Sequence, residues 1–283
     1  MPFRKIVFPV DYSEPCAAIV PYVKEMQRHF STGLAVVHAY GPEALAYSPL
    51  PITDPDLPQE VKARAAERLR DFVERHFPGQ SEIEMFSGLG ETGSVIHDFV
   101  RREGADVVML PTHGHGPLRR LLLGSVTAKI LHDMTVPVWT VAHSSGAAKI
   151  PCRSVLAAVD TNEEGETVIR AAVSLAASYG ARLSLAYVLE MPPANVETGF
   201  ATYQDDFVAA ATARMERIKA KVGINAPVAI LTGPVAEAVG EEAQRVQADL
   251  IVTGRGQASG AFSRMWSHLY PIVRHAPCPV LSI

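Results

Sequence analysis

The chain has 283 residues, 48% hydrophobic and 20% charged, enough for two domains with good cores and too apolar for a disordered or collagen-like polymer. Its net charge of -4 is mild and the basic residues are scattered, which argues against a nucleic-acid footprint. No run reaches membrane-spanning length and the N-terminus MPFRKIVFPVD does not suit a secretory signal, so a cytoplasmic protein without membrane contact is expected.

In chain order, the apolar runs at 5–10, 33–40, 81–88, 105–110 and 136–141 read as strands, with helical patterns near 14–29, 60–77, 93–103 and 125–133. After the small, polar stretch HSSGAAKIP at 143–151 the pattern starts again, with strands at 154–159, 181–188, 226–231, 248–253 and 278–283. The two series are copies. RKIVFPVDYSEP (4–15) matches RSVLAAVDTNEE (153–164), GADVVMLPTHGHG (104–116) matches QADLIVTGRGQAS (247–259), and MTVPVWTV (134–141) matches APCPVLSI (276–283). The offset between copies is 149 at Asp11 and Asp160 but 143 at Asp106 and Asp249, and the Pro-rich segment 41–59 is the place for the difference. Two tandem domains, 1–145 and 151–283, are therefore expected. Alternating strands and helices imply right-handed crossovers, so each domain should be an open, doubly wound α/β unit on a parallel sheet, Rossmann-like.

In such sheets ligands sit beyond the carboxyl ends of the strands, where strand order reverses. That edge carries THGHGPLRRLLLGSVT (112–127). Gly114 and Gly116 permit positive φ and close backbone approach to a ligand, and Gly124-Ser125 opens a helix whose first amides lack internal partners and favour an anion. Ser125 and Thr127 add hydroxyl donors. The plain alternative is a glycine-marked loop with Ser125 capping a helix. Arg119 and Arg120 can reach phosphates or flank the helix in solvent. Asp11 and Asp160 invite a general-base role, but strand-end aspartates more often cap the following turn. No Walker loop and no esterase elbow occurs, and His38, His113 and His115 lack paired metal-ligand spacing, so no catalytic residue and no metal site are assigned. The three widely spaced cysteines, Cys16, Cys152 and Cys278, read as buried and structural.

PVDYSEP after the first strand, with G-x9-G-S-V-T after the fourth, resembles the universal stress protein family, and the resemblance extends over both halves. It implies a five-stranded parallel sheet of order 3-2-1-4-5 in each half, and ATP or a related adenine nucleotide, with Mg2+, as ligand of the first. By that resemblance Asp11 and Ala39 line the adenosine pocket with Pro9, Val10 and Leu110 beside them. His113 and Gly114 approach the ribose and phosphates, and Gly124, Ser125, Val126 and Thr127 bind the phosphates. Pro111 departs from the family's first glycine, fixing φ and removing an N–H. In the second half the pattern degenerates: Gln257, Ser267 and His268 stand where the family has glycine, glycine and Ser/Thr. Losing two phosphate contacts at roughly 1.5 to 3 kcal/mol each predicts a hundredfold to ten-thousandfold weaker binding there. Met265 and Trp266 are expected either to plug the vacated groove or to pack on their own helix. Edge strands 136–141 and 278–283 suggest an intramolecular pseudo-dimer or a homodimer. The role implied is regulatory, read by a further protein partner, without catalysis beyond slow ATP hydrolysis; the alternatives are a nucleotide-free interaction scaffold and a weak ATP hydrolase.

Overall fold

The computed structural model describes residues 3–41, 57–113, 123–142, 151–160, 163–189, 204–255 and 268–283. The chain divides into two compact units, Pro2–His143 and Ser144–Ile283.

The first unit runs β1 (Lys5–Pro9), α1 (Glu14–Ala18), α2 (Val20–Phe30), β2 (Gly33–Tyr40), α3 (Leu57–His76), β3 (Glu84–Leu89), α4 (Thr92–Glu103), β4 (Val107–Pro111), α5 (Ser125–Asp133) and β5 (Val138–Val141). Parallel pairing of β1 with β2 and β4, of β2 with β3, and of β4 with β5 gives the order β3-β2-β1-β4-β5. The chain therefore turns back at β1, and a crevice opens between the carboxyl ends of β1 and β4. β4 is apolar and buried throughout, and β1 is apolar and buried over 6–8, because both faces are covered. On β1, Phe8 packs against Phe72 of α3 and against Phe77, while Lys5 on the opposite face lies 5.8 Å from the Phe99 ring of α4. A single helix over 14–29 is expected from the pattern, but two form. Pro21 has no N–H to donate to residue 17 and crowds its carbonyl, so the chain breaks at Ile19 and restarts with proline in the first turn of α2.

The second unit repeats the plan with β6 (Ser154–Ala158), α6 (Glu163–Tyr179), β7 (Arg182–Leu189), α7 (Gln204–Val222), β8 (Val228–Thr232), α8 (Val235–Arg245), β9 (Leu250–Thr253), α9 (Tyr270–His275) and β10 (Val280–Ser282). Its order is β8-β7-β6-β9-β10, again all parallel. The same anchor fixes both sheets at the opposite edge. Asp106 accepts from the amides of Arg4 and Lys5, and Asp249 accepts from those of Arg153 and Ser154, tying the strand-4 entrance to the first strand of each unit. The three cysteines are buried and form no disulfide.

Candidate functional site

The first unit's crevice is built from the ends of β1 and β4 and the start of α5. At the end of β1 the Val10 amide donates to the Val37 carbonyl at 2.8 Å, and the Val10 carbonyl accepts from His38 Nδ1 at 2.8 Å. Asp11 Oδ1 accepts from both the amide and the hydroxyl of Ser13, at 2.9 and 2.6 Å, and Ser13 Oγ in turn accepts from the Cys16 amide that opens α1. Asp11 thus closes an Asx turn and supports a helix cap. The turn holds Tyr12 in the left-handed region at φ 63, with its ring 4.5 Å from His38, 5.7 Å from Phe72 and 4.2 Å from the Arg68 guanidinium. Burial pushes the Tyr12 phenol up and pulls His38 below the usual imidazole range, the latter opposed by its bond to the Val10 carbonyl. The Tyr12 hydroxyl is buried with no hydrogen-bond partner among the described residues.

The end of β4 is locked to α5. The Thr112 amide donates to the Val141 carbonyl, the Gly124 amide donates to the Thr112 carbonyl at 2.9 Å, and the Thr127 hydroxyl donates to the Pro111 carbonyl at 2.9 Å. His113 is 8% exposed, with Nδ1 3.0 Å from the Thr112 hydroxyl. Of the four residues expected to meet phosphates, two are therefore already engaged: Gly124 through its amide and Thr127 through its hydroxyl, 4% exposed and turned inward. The amides of Ser125, Val126 and Thr127 have no acceptor among the described residues; Ala128 is the first to bond back, to the Gly124 carbonyl. Pro111 acquires a definite cost from the register. Val108 and Thr112 donate toward β5, so in a parallel strand the N–H absent at 111 is one that would face β1 and the crevice.

Pro9, Val10 and Leu110 lie at the strand ends with Val10 and Leu110 buried, and Ala39 pairs with Gly88 on the neighbouring strand. Of the residues at these strand ends, Pro9, Asp11 and Ala39 are half-buried. Gly114, Gly116, Arg119, Arg120, Gln257, Met265 and Trp266 lie outside the described residues. Tyr12 and Arg68 belong to the neighbourhood although the sequence reading passed over them. Their only signal is the i,i+4 spacing of Arg68 and Phe72, which puts both on one helix face.

The second unit carries a formed cleft of about 350 Å³ at the matching edge, between the ends of β6, β7 and β9 and the starts of α6, α8 and α9. Gly165 lets α6 start directly against the β6 end, since a Cβ there would overlap the Asp160 carbonyl. Arg255 forms the floor, 2% exposed, donating to the Ser282 carbonyl at 3.2 Å. Burial pulls its guanidinium down to about 10, opposed by the charge of Glu164. Glu164 lies across Gly254, so that a Cβ on that glycine would come within 2.6 Å of its Oε1.

Two doubly wound units, each with a crevice at the carboxyl ends of a 3-2-1-4-5 sheet, define a tandem Rossmann-like α/β protein. The universal stress protein family model matches residues 2–142 and again 151–283, and the chain belongs to that family. A universal stress protein from Archaeoglobus fulgidus DSM 4304 is similar over 98% of this chain and 95% of that chain, at 20% identity and a TM-score of 0.70. A functionally unknown protein from Pseudomonas aeruginosa PAO1 is similar over 99% of this chain and 92% of that one, at 16% identity and a TM-score of 0.66. At these identities the likeness is one of fold. No curated protein matches the sequence. Among the described residues, no helix is long and apolar enough to cross a membrane.

Proposed function

We propose that the first unit binds an adenine nucleotide, ATP with Mg2+, and that the chain acts as a regulator whose occupancy a protein partner reads, not as an enzyme. The observation that carries this reading is the row of amides at Ser125, Val126 and Thr127, which have no acceptor among the described residues and stand at the start of a helix beside the β1/β4 crevice. A helix start of this kind holds phosphate by hydrogen bonding and by the helix dipole together. In this reading the phosphates rest on those amides, Thr127 contributes its amide while its hydroxyl braces Pro111, and Gly124 serves by its small size. Adenosine lies along Pro9, Val10, Asp11, Ala39 and Leu110, with His113 and Gly114 at the ribose. Asp11 positions the turn through Ser13, which suits a binding pocket better than a general base.

Calorimetry of the full chain with ATP and Mg2+ tests it. One site per chain is expected, and Gly124→Val should weaken it at least tenfold by pressing a branched side chain against His113 and the Thr112 carbonyl and so displacing the start of α5. Gly124 has ordinary dihedrals, φ -62 and ψ 143, so valine fits the backbone without strain, and an unchanged circular-dichroism spectrum checks that the variant is folded. Absence of heat and of thermal stabilisation at millimolar ATP overturns the proposal. The donor missing at Pro111 and the inward Thr127 hydroxyl favour one second reading, a nucleotide-free interaction scaffold, which that same absence would support.

A further inference from the structure

The amino-terminal edge of the second unit's sheet holds an open pocket of about 640 Å³, between the starts of β6, β7 and β8 and the end of α8. In the first unit the same place is filled. There Phe86 of β3 packs on Phe99 of α4 with ring centroids 5.0 Å apart, and the Arg102 guanidinium lies over both rings at 4.8 and 5.2 Å. Lys5 reaches Glu84 and Glu103 beside them, at 2.6 and 3.2 Å. Strand register, and the spacing of each helix from Asp106 or Asp249, match these residues one to one with the second unit. Ala229 takes the place of Phe86, Ser154 of Lys5, Pro227 of Glu84 and Val246 of Glu103, each a shorter side chain. The pocket is the room they leave, and its volume is that of a small-molecule site.

Two further replacements bring charge into the pocket. Glu242 stands where the first unit has Phe99 and is 4% exposed, its carboxylate accepting from Arg245 Nε at 2.7 Å and from Arg245 Nη2 at 2.6 Å. Arg245, the counterpart of Arg102, is thereby fixed in a planar two-bond pair. None of the described residues lining the pocket is aromatic, so this guanidinium has no ring to stack on as Arg102 does. Arg182 stands where the first unit has Gly33; it is exposed and makes no ion pair among the described residues. With Arg245 matched by Glu242, the surplus charge of the pocket is positive and belongs to Arg182.

We infer that this pocket binds a small aromatic carboxylate, its ring against the Arg245 guanidinium in the place that Phe86 takes in the first unit, and its carboxylate on Arg182. The face of a fixed guanidinium favours a flat π-system, and an arginine fork without an ion-pair partner favours a carboxylate. The site lies in a different unit from the proposed nucleotide pocket and at the amino ends of the strands, so it does not rest on that reading.

2-Naphthoate is a suitable probe, with 2-naphthamide as its uncharged counterpart, each titrated into the full chain and followed by ligand-observed NMR and calorimetry. Saturable binding of 2-naphthoate below millimolar concentration is expected, with 2-naphthamide at least fivefold weaker. Ala229→Phe restores the first unit's filling and should weaken 2-naphthoate at least tenfold. Arg182→Gln, a change at an exposed position, should weaken 2-naphthoate at least fivefold and leave 2-naphthamide unchanged, and circular dichroism checks the folding of both variants. Should Ala229→Phe fail to fold, Arg182→Gln decides alone. No saturable binding of 2-naphthoate at millimolar concentration, equal binding of the two probes, or wild-type affinity for 2-naphthoate in either folded variant overturns the inference.

Discussion

The two units share strand order and the aspartate anchors at one sheet edge, yet differ in what fills the core and what guards the opposite edge. In the first, β1 carries Phe8, within an aromatic group that includes Phe72 and Phe77. The matching residue of β6 is Ala157, and the second core relies on small side chains, among them Ala158, Ala171, Ala172 and Ala186. At the carboxyl edge the first unit presents amides without acceptors among the described residues, and the second presents carboxylates around a guanidinium. A duplicated architecture therefore constrains strand length and crossover geometry, while the volume of a central residue and the charge at a helix start are set independently in each copy.

The largest effect should come from the core. Phe8 is fully buried, and Phe8→Ala should cost about 3–5 kcal/mol of first-unit stability, from lost burial and the cavity left beside the Phe72 and Phe77 rings. Urea unfolding followed by a probe in each unit checks this: the first unit should unfold at lower urea and the second should not move. Equal shifts in both would show that the two cores are not independent.

Two glycines separate the mouths next. Gly165→Ala forces a Cβ onto the Asp160 carbonyl, a backbone atom that cannot swing aside, so the second unit should lose about 1–3 kcal/mol and its cleft should change shape. Gly124→Ala places its Cβ 3.4 Å from His113 Cα and 3.5 Å from the Thr112 carbonyl, ordinary contacts, so the first unit's unfolding midpoint should stay put. If Gly165→Ala is as silent as Gly124→Ala, the close approach of α6 to β6 is not a requirement of the fold.

Much of this was legible in the sequence. The repeat, the ten strands and the doubly wound class follow from matched apolar runs and their spacing, because a strand buried on both faces must be apolar along its whole length. What escaped depends on contacts between elements distant in sequence. Nothing local announces that Thr127 turns its hydroxyl to Pro111, that Glu164 reaches across to Gly254, or that Arg68 lies over Tyr12. The break at Ile19 was written in Pro21 but hidden by an apolar pattern that continues across it. At the second mouth the motif speaks only to phosphate, and the walls of the cleft come from strand ends that it does not sample.

A smaller effect is expected at Tyr12. Its buried hydroxyl has no partner among the described residues, so Tyr12→Phe removes a desolvated polar group and keeps the ring stacked between His38 and Arg68. First-unit stability should be unchanged or rise by up to about 1 kcal/mol in urea unfolding. A clear loss would show that the hydroxyl is bonded in solution, and would place a water or ligand atom beside it.

The smallest effect is a matter of pH and belongs to the first unit alone. Burial holds His38 below its ordinary 6.5, and its Nδ1–H donates to the Val10 carbonyl, so the folded unit keeps the ring neutral. The unfolded chain takes up the proton first. This contribution is therefore complete above the unfolded value and is lost as pH falls from about 6.5 toward the depressed folded value. His38→Asn retains an N–H near the Nδ1 position and removes the titration, so its first-unit stability should decline less than the wild type's between pH 7.5 and 5.5. The second unit has Tyr187 two residues from the end of β7 and no histidine on that strand, so the substitution should leave its pH profile unaltered. Parallel profiles for the wild type and His38→Asn would mean that the imidazole reaches water more readily than its packing against Tyr12 indicates.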